Sequence, residues 1–501
     1  LVFLALTAAL ALYWSHLKLM DNDEYLSFYG DSAPTVGEVV RIQLHYPISL
    51  DPPAYHILSH LSMDVIGRNE LAMRLPALFG FLTFQAGLFL FVRRLAGSRA
   101  ALVALLLPVT GTMYHYAVVG RPYGLLLGLY AISLVLWQTA ARRYETGQPR
   151  LLLLVGISLA LGLAITSHYF GVLILLPVCL AELARTLHRR RFDLPMLAAL
   201  FAGLASVALI LPFRKAVLVY QQHYYITAVA PSIIREAYRG IFFHYYDWPG
   251  LYRAALAAML VGLLLVVGVA TWLRVRRRAP EEPVYDWVAL AAIAALPVFG
   301  FLFGHFVTHT MEVRYVMAWQ FAAIACAAIV LEPLLRRNAI FYTLLAVILL
   351  GGFLIQKREL DIYRADRLSK LASMSIPAAL RQQILANPNR RIYIQSLENY
   401  YTDEHYEPDA AIRARFSYVY GLDQELGLLG HDTNTVTARN MQHFTTLSIV
   451  PYDLFLRDRE PLLLLYHNGW EWIEQDLRQR NRVLTPIGPI LRGDLLQVSN
   501  P

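Results

Sequence analysis

Cysteine is nearly absent from this 501-residue sequence: Cys179 and Cys326 are the only two, and each sits inside an apolar run. That spacing excludes a disulfide framework, and no CxxC or Cys/His pattern is present to hold zinc. Charge is scarce as well, at 16% Asp, Glu, Lys and Arg against about 25% in ordinary soluble domains. With 57% hydrophobic residues and a mean hydropathy of +0.44, the chain has more apolar surface than one soluble core can bury. Acids are outnumbered by bases, 36 to 44, for a net charge of +8. The excess Lys and Arg fall in short clusters between apolar runs, which membrane topology alone requires, so no nucleic-acid partner is inferred. The opening run, 1–14, has no basic segment before it and no small-residue cleavage site after it. It reads as a span cut short at its start rather than a signal peptide.

What the sequence does contain is a series of runs long enough to cross a bilayer, at 1–14, 71–92, 100–119, 121–140, 151–167, 168–187, 194–213, 251–273, 285–306, 313–335 and 339–356. The expected fold is a polytopic α-helical membrane protein of about eleven spans. Basic clusters at 93–99, 141–150, 185–192, 273–278 and 334–338 fall on one side if the spans alternate. Positive residues stay cytoplasmic, so the N-terminus is expected inside the cytoplasmic (inner) membrane. The opposite, extracytoplasmic side then carries a long first loop (15–70), a Tyr/His-rich loop (214–250), the turns near 113–123, 166–169 and 305–314, and everything after 356. Two domains are expected, 1–356 in the membrane and 357–501 outside it. The tail is more charged, with "RRIYIQS" and "PLLLLYH" as strand-like runs and "WEWIEQDLRQR" as an amphipathic helix. It is expected to form a small α/β domain.

The chemically capable residues gather on the extracytoplasmic side, where ionisable groups at membrane depth are candidate functional sites. In "KLMDNDEYLSFYG" (18–30), Asp21, Asp23 and Glu24 crowd the mouth of the first span. In "DPPAYHILSHL" (51–61), Asp51 stands before a double proline, a natural helix N-cap position, with Tyr55 one turn on. Glu70 and Arg74 are spaced to pair along one helix face. "GRPYG" (120–124) puts Arg121 and Tyr123 at the start of a span, "TSHYFG" (166–171) adds His168 and Tyr169, and "HTMEVRYVMAW" (309–319) adds Arg314 and Tyr315. Arginine's planar fork suits phosphate better than lysine does. Cations for a phosphate, acids to activate a nucleophile and approach from the bilayer together point to a polyprenyl-phosphate sugar.

The order of these motifs resembles the GT-C class of membrane glycosyltransferases. The chain is most similar to bacterial relatives of protein O-mannosyltransferases, aminoarabinose transferases acting on lipid A, and rhizobial lipopolysaccharide galacturonosyltransferases. "DNDEYLS", "DPPAYHILSHL", "NELAMRLPALFG", "GRPYGLLLGLYAISL", "SHYFGVLILL" and "VRYVMAW" carry the resemblance in order over residues 1 to 335. The resemblance implies transfer with inversion from a polyprenyl-phosphate donor to a hydroxyl of a lipid, glycan or protein acceptor. Asp23 matches the family's base and Glu24 its neighbour in the Asp-Glu pair. Asp51 stands where relatives often carry His or Lys, so phosphate neutralisation falls to Arg121 or Arg314, with Tyr55, Tyr123, His168, Tyr169 and Tyr315 around the substrate. Asp21 and Asp23 also spell D-x-D, a pair that would suit Mg or Mn. Mannosyltransferase-type relatives work without metal, so no cofactor is required. A transporter or flippase, and a relative that transfers a whole oligosaccharide, are the alternatives; no internal repeat of the kind transporters show is evident.

Overall fold

A computed structural model describes residues 1–49, 51–214, 229–240, 284–374, 378–386, 390–459, 461–467, 469–490 and 493–499. The span expected at 251–273, the basic cluster 273–278 and most of loop 214–250 lie outside the described residues. The chain forms two compact units: 1–16 with 51–212 and 227–359, and 17–50 with 213–226 and 360–501.

The first unit is helical. Each expected run among the described residues is helical over at least part of its length, because long apolar stretches satisfy their backbone internally only as helices. Among the described residues five helices are long and apolar enough to cross a membrane, or up to seven if each bent pair counts as one span. Leu152, Leu159, Phe201 and Phe353 are exposed on their outer faces, as lipid-facing residues are. This is a polytopic helical membrane protein.

The runs at 71–92 and 100–119 fall in one helix, Glu70–Leu106, interrupted at Gly97, whose φ of 77° favours glycine. Gln85 Nε2 donates to the Leu105 carbonyl at 3.1 Å, whereas on a continuous helix those residues would stand about 30 Å apart. The chain therefore turns back at Gly97. The expected span to 119 stops at Leu106, where Pro108 removes a backbone donor. Two 3-10 turns follow, Leu107–Thr110 and Thr112–Ala117, and lead to Arg121.

The helix Tyr123–Glu145 packs against the 70–96 segment with almost no side chain between them. A Cβ on Gly128 would lie 2.3 Å from the Gly80 carbonyl oxygen, and one on Gly80 would lie 2.3 Å from the Gly124 oxygen. Small residues four apart allow this approach, as in membrane helix pairs generally. The contact fixes where Arg121 and Tyr123 begin the helix.

The basic clusters meet at the far end of that helix. Arg94 donates to Gln138, which donates to Asp286; Arg150 and Arg185 share Asp193, and Arg185 also holds Glu182. Tyr144 lies under the guanidiniums of Arg150, Arg185 and Arg189, while Arg99 donates to the 335 and 336 carbonyls and to Asn338. Every basic cluster among the described residues is thus tied to another. Buried Arg185 and half-buried Arg150 are thus ion-pair partners as well as topology signals.

The second unit holds a six-stranded sheet. Its strands are β1 (Ile392–Ile394), β2 (Phe416–Tyr420), β3 (Ile449–Pro451), β4 (Leu462–Tyr466), β5 (Val483–Ile490) and β6 (Gly493–Ser499). The order is β3-β2-β1-β4-β6-β5, with β1 to β4 parallel and β6 antiparallel to both β4 and β5. The near-continuous apolar runs of β1, β2 and β4 fit a sheet covered on both faces. Residues 17–50 belong to this unit: Tyr29 donates to Glu404 at 2.8 Å, Asn440 donates to the Pro47 carbonyl at 2.8 Å, and Tyr46 stacks on His443. The helix Asn338–Met374 continues past 356.

Replacing Gly128 with Leu should lower the thermal unfolding midpoint in detergent, with an overpacking cost of about 1–3 kcal/mol or more. Gly351→Ala, inside a helix where a Cβ meets nothing within 4 Å, is the matched control and should not lower it.

Candidate active site

In the first unit, the helix Ala54–Ile66 starts after Pro53 with no side-chain cap, so Asp51 is not the N-cap expected from the sequence. Its carboxylate turns instead to Arg121, Nη2 to Oδ2 at 2.5 Å, with His168 Nε2 at 3.6 Å from Oδ1. All three side chains are buried. A lone carboxylate would not persist in such a place; Arg121 supplies the compensating charge.

His168 lies in the turn between the helices Leu151–Ser167 and Leu175–Arg189. Its Nδ1 accepts the Phe170 backbone N–H at 3.1 Å, which assigns the ring proton to Nε2, on the Asp51 side. Burial, with help from Arg121 and Arg314 and against Asp51, pulls its pKa down to about 4. The imidazole is neutral at physiological pH.

Arg314, in the 3-10 turn Val313–Val316, donates from Nε to the Tyr123 hydroxyl at 3.0 Å. Its guanidinium lies 5.5 Å from the Tyr123 ring and 5.7 Å from the Tyr315 ring. Tyr123 and Tyr315 stack, and Tyr315 also meets His168 and Phe170, at 4.7 and 5.0 Å between ring centroids. Asp51, Arg121, Tyr123, His168, Arg314 and Tyr315 therefore converge, two permanent cations against one carboxylate. Tyr55 is drawn elsewhere, its hydroxyl donating to the Met73 carbonyl at 3.2 Å, and half-buried Tyr169 opens the turn Tyr169–Ile174. A cavity of about 160 Å³ opens beside Arg314, walled in part by Tyr116, Glu236 and Gln320, which sequence reasoning did not single out. Nothing in their local sequence sets them apart.

In the second unit the acid cluster proves to be a helix start. Asp21 caps Asn22–Asp31 by accepting the Glu24 N–H at 3.0 Å, and Glu24 reaches back to the Asp21 N–H, completing a capping box. Lys18 pairs with buried Glu24 and lies 3.3 Å from Asp21 Oδ2. Lys18 was missed as a partner, although it precedes the acids by only three and six positions. Asp23 sits half-buried in the first turn and takes no part in the cap.

The D-x-D pair does not fit a divalent ion. Both Asp21 oxygens are engaged, one by a backbone N–H and one by the Lys18 ammonium, which would repel a metal cation. Among the described residues no group of three or more His, Cys, Asp or Glu converges to hold a metal.

The family model for dolichyl-phosphate-mannose-protein mannosyltransferase matches residues 51–214, the stretch that holds Asp51, Arg121 and His168. The fold is similar to the crystal structure of ArnT from Cupriavidus metallidurans bound to undecaprenyl phosphate. The TM-score is 0.61 at 14% identity, covering 100% of this chain and 99% of that one. The apo structure of ArnT from Cupriavidus metallidurans aligns with a TM-score of 0.58 at 14% identity, covering 100% and 98% of the two chains. No curated protein matches by sequence. Family model, fold and motif order agree in what the chain resembles: the membrane glycosyltransferases of the GT-C class.

His168 generates a pH prediction. Its folded pKa lies below the ordinary value of about 6.5, so the unfolded chain protonates first. Its contribution to stability is fully present above pH 6.5 and is lost as pH falls from there towards 4. Thermal unfolding of the wild type and His168→Gln across that window should show the difference between them shrinking as pH drops. Asp51→Ala, which leaves Arg121 without this carboxylate, should cost about 3–5 kcal/mol in the same measurement.

Proposed function

We propose that the protein transfers a sugar from a polyprenyl-phosphate donor to an acceptor hydroxyl, with inversion, on the extracytoplasmic face of the cytoplasmic membrane. Asp23 takes the proton of the acceptor hydroxyl as its oxygen attacks the anomeric carbon from the side opposite the phosphate. The bond from that carbon to the phosphate oxygen breaks, and the lipid phosphate leaves with the electron pair. Arg314 and Arg121 offset the charge that develops on it, Tyr123 and Tyr315 hold Arg314 in place, and neutral His168 offers its Nε2–H. The lipid tail stays in the bilayer, and the acceptor is an envelope lipid, a glycan or a protein hydroxyl.

One observation carries this reading: Asp51, Arg121, Tyr123, His168, Arg314 and Tyr315, from four separate stretches of chain, assemble into one cationic, aromatic site at the ends of helices. A transporter would hold its charges near mid-span. Glu24, committed to Lys18 and the cap, orders the loop that carries Asp23 rather than acting on the acceptor. Lys18 disfavours a metal-assisted step at Asp21 and Asp23.

Asp23→Asn should fold like the wild type and lose about 10²- to 10⁴-fold in transfer of radiolabelled sugar from a polyprenyl-phosphate donor in detergent. Glu24→Gln should instead lower the unfolding midpoint. Wild-type turnover by Asp23→Asn would place the base elsewhere; movement of the lipid across vesicles without turnover would favour transport.

A further inference from the structure

The cavity beside Arg314 has rigid walls. The helix Ser232–Arg239 is pinned to the bundle by Trp319 Nε1 donating to the Ala237 carbonyl at 3.1 Å and by the Tyr238 hydroxyl donating to the Ala294 carbonyl at 2.8 Å. Thr112 Oγ1 donates to the Gly240 carbonyl at 2.7 Å, which closes the side next to the 3-10 turn. Tyr116, Val313 and Met317 line it with apolar surface; Arg314, Glu236 and Gln320 are its charged and amide groups. Gln320 is 2% exposed, and its Oε1 accepts no hydrogen bond from the described residues. A buried amide oxygen left so is costly unless a bound molecule donates to it.

These features select a ligand. Apolar walls with a few placed polar groups are the usual form of a small-molecule site. Its acceptors, the Gln320 oxygen and the Glu236 carboxylate, call for a molecule that donates hydrogen bonds. Glu236 opposes a second negative charge at the same place. The cavity, of about 160 Å³ and open on one side, has room for a sugar ring. The open neighbour is Arg314, the cation assigned to the donor phosphate.

We propose that this cavity receives the sugar of the lipid-phosphate donor, and that it takes a ring rich in hydroxyl or amino donors and without a carboxylate. The inference rests on the transferase reading and narrows it: a uronic acid donor is disfavoured. Gln320 would bind the ring, and Glu236 would exclude acidic sugars.

Binding to the purified full chain in detergent tests this, with undecaprenyl phosphate, undecaprenyl-phosphate mannose and undecaprenyl-phosphate galacturonic acid as probes. Gln320→Leu should weaken the mannose lipid about tenfold, the worth of one hydrogen bond, and leave bare undecaprenyl phosphate unchanged. The galacturonic acid lipid should bind the wild type more weakly than the mannose lipid, and Glu236→Gln should narrow that gap. Equal weakening of bare and sugar-bearing lipids by Gln320→Leu would make the cavity a lipid or phosphate subsite and overturn the proposal. So would unchanged binding of all three, or preference for the galacturonic acid lipid; the transferase reading would survive each of these. A wild type that binds none of the three overturns both.

Discussion

Arg121 and Asp51 meet at 2.5 Å with both side chains buried, and much of the first unit is arranged around that meeting. A charge taken into a helical membrane bundle must bring its counter-charge with it, since neither water nor lipid can supply one. The helix Tyr123–Glu145 therefore has to start at a set height, which its close packing on Gly80 secures. The turn at His168 has to face the same carboxylate, and the Phe170 N–H fixes the ring to do so. At the other end of the same helix the rule recurs, with Arg185 and Arg150 sharing Asp193 and Gln138 bridging Arg94 to Asp286. The bundle is held at both ends by charges that cannot be separated cheaply.

The acid loop obeys the same rule on a smaller scale. Three carboxylates within four positions would repel one another, and the fold divides them. Asp21 accepts a backbone N–H at a helix N-terminus, where negative charge is favoured. Glu24, fully buried, is neutralised by Lys18. Asp23 is thereby carried on a rigid first turn and not on a wet loop, and a base gains most from being held still.

The helical character of the bundle, the basic clusters and the residues of the cationic site were legible because each leaves a local mark: a run of apolar residues, a group of arginines, a charge where none is expected. The turn at Gly97 was readable only as a basic loop between spans, and the early stop at Leu106 was signalled by Pro108 within an otherwise apolar run. The sequence left Asp51 open between a cap and a site residue because an acid before a double proline suits a cap; the arginine that claims it stands seventy positions on. Strands β1 and β4 and the helix Trp472–Gln479 stood out as apolar or amphipathic runs. β3 is three residues long and β5 contains two prolines, so neither carries a strand pattern. The joining of residues 17–50 to the C-terminal unit depends on contacts such as Tyr29 with Glu404, hundreds of positions apart, which no local pattern announces.

The acid that stands beside the two arginines, Asp51, alters the balance of the site in a definite way. Arg121 and Arg314 with a lysine or histidine beside them would hold a phosphate strongly in both donor and product. Only interactions that strengthen between the bound donor and the transition state speed the chemical step, and equal grip on the product lipid phosphate would slow its release. Asp51 offsets the charge of Arg121, Glu236 in the cavity wall tempers that of Arg314, and His168 is neutral. On the transferase reading, that is enough to meet the charge gained by the departing phosphate without trapping it. Asp51 then has two tasks that one side chain performs together: it lets Arg121 be buried, and it sets how tightly the lipid phosphate is held.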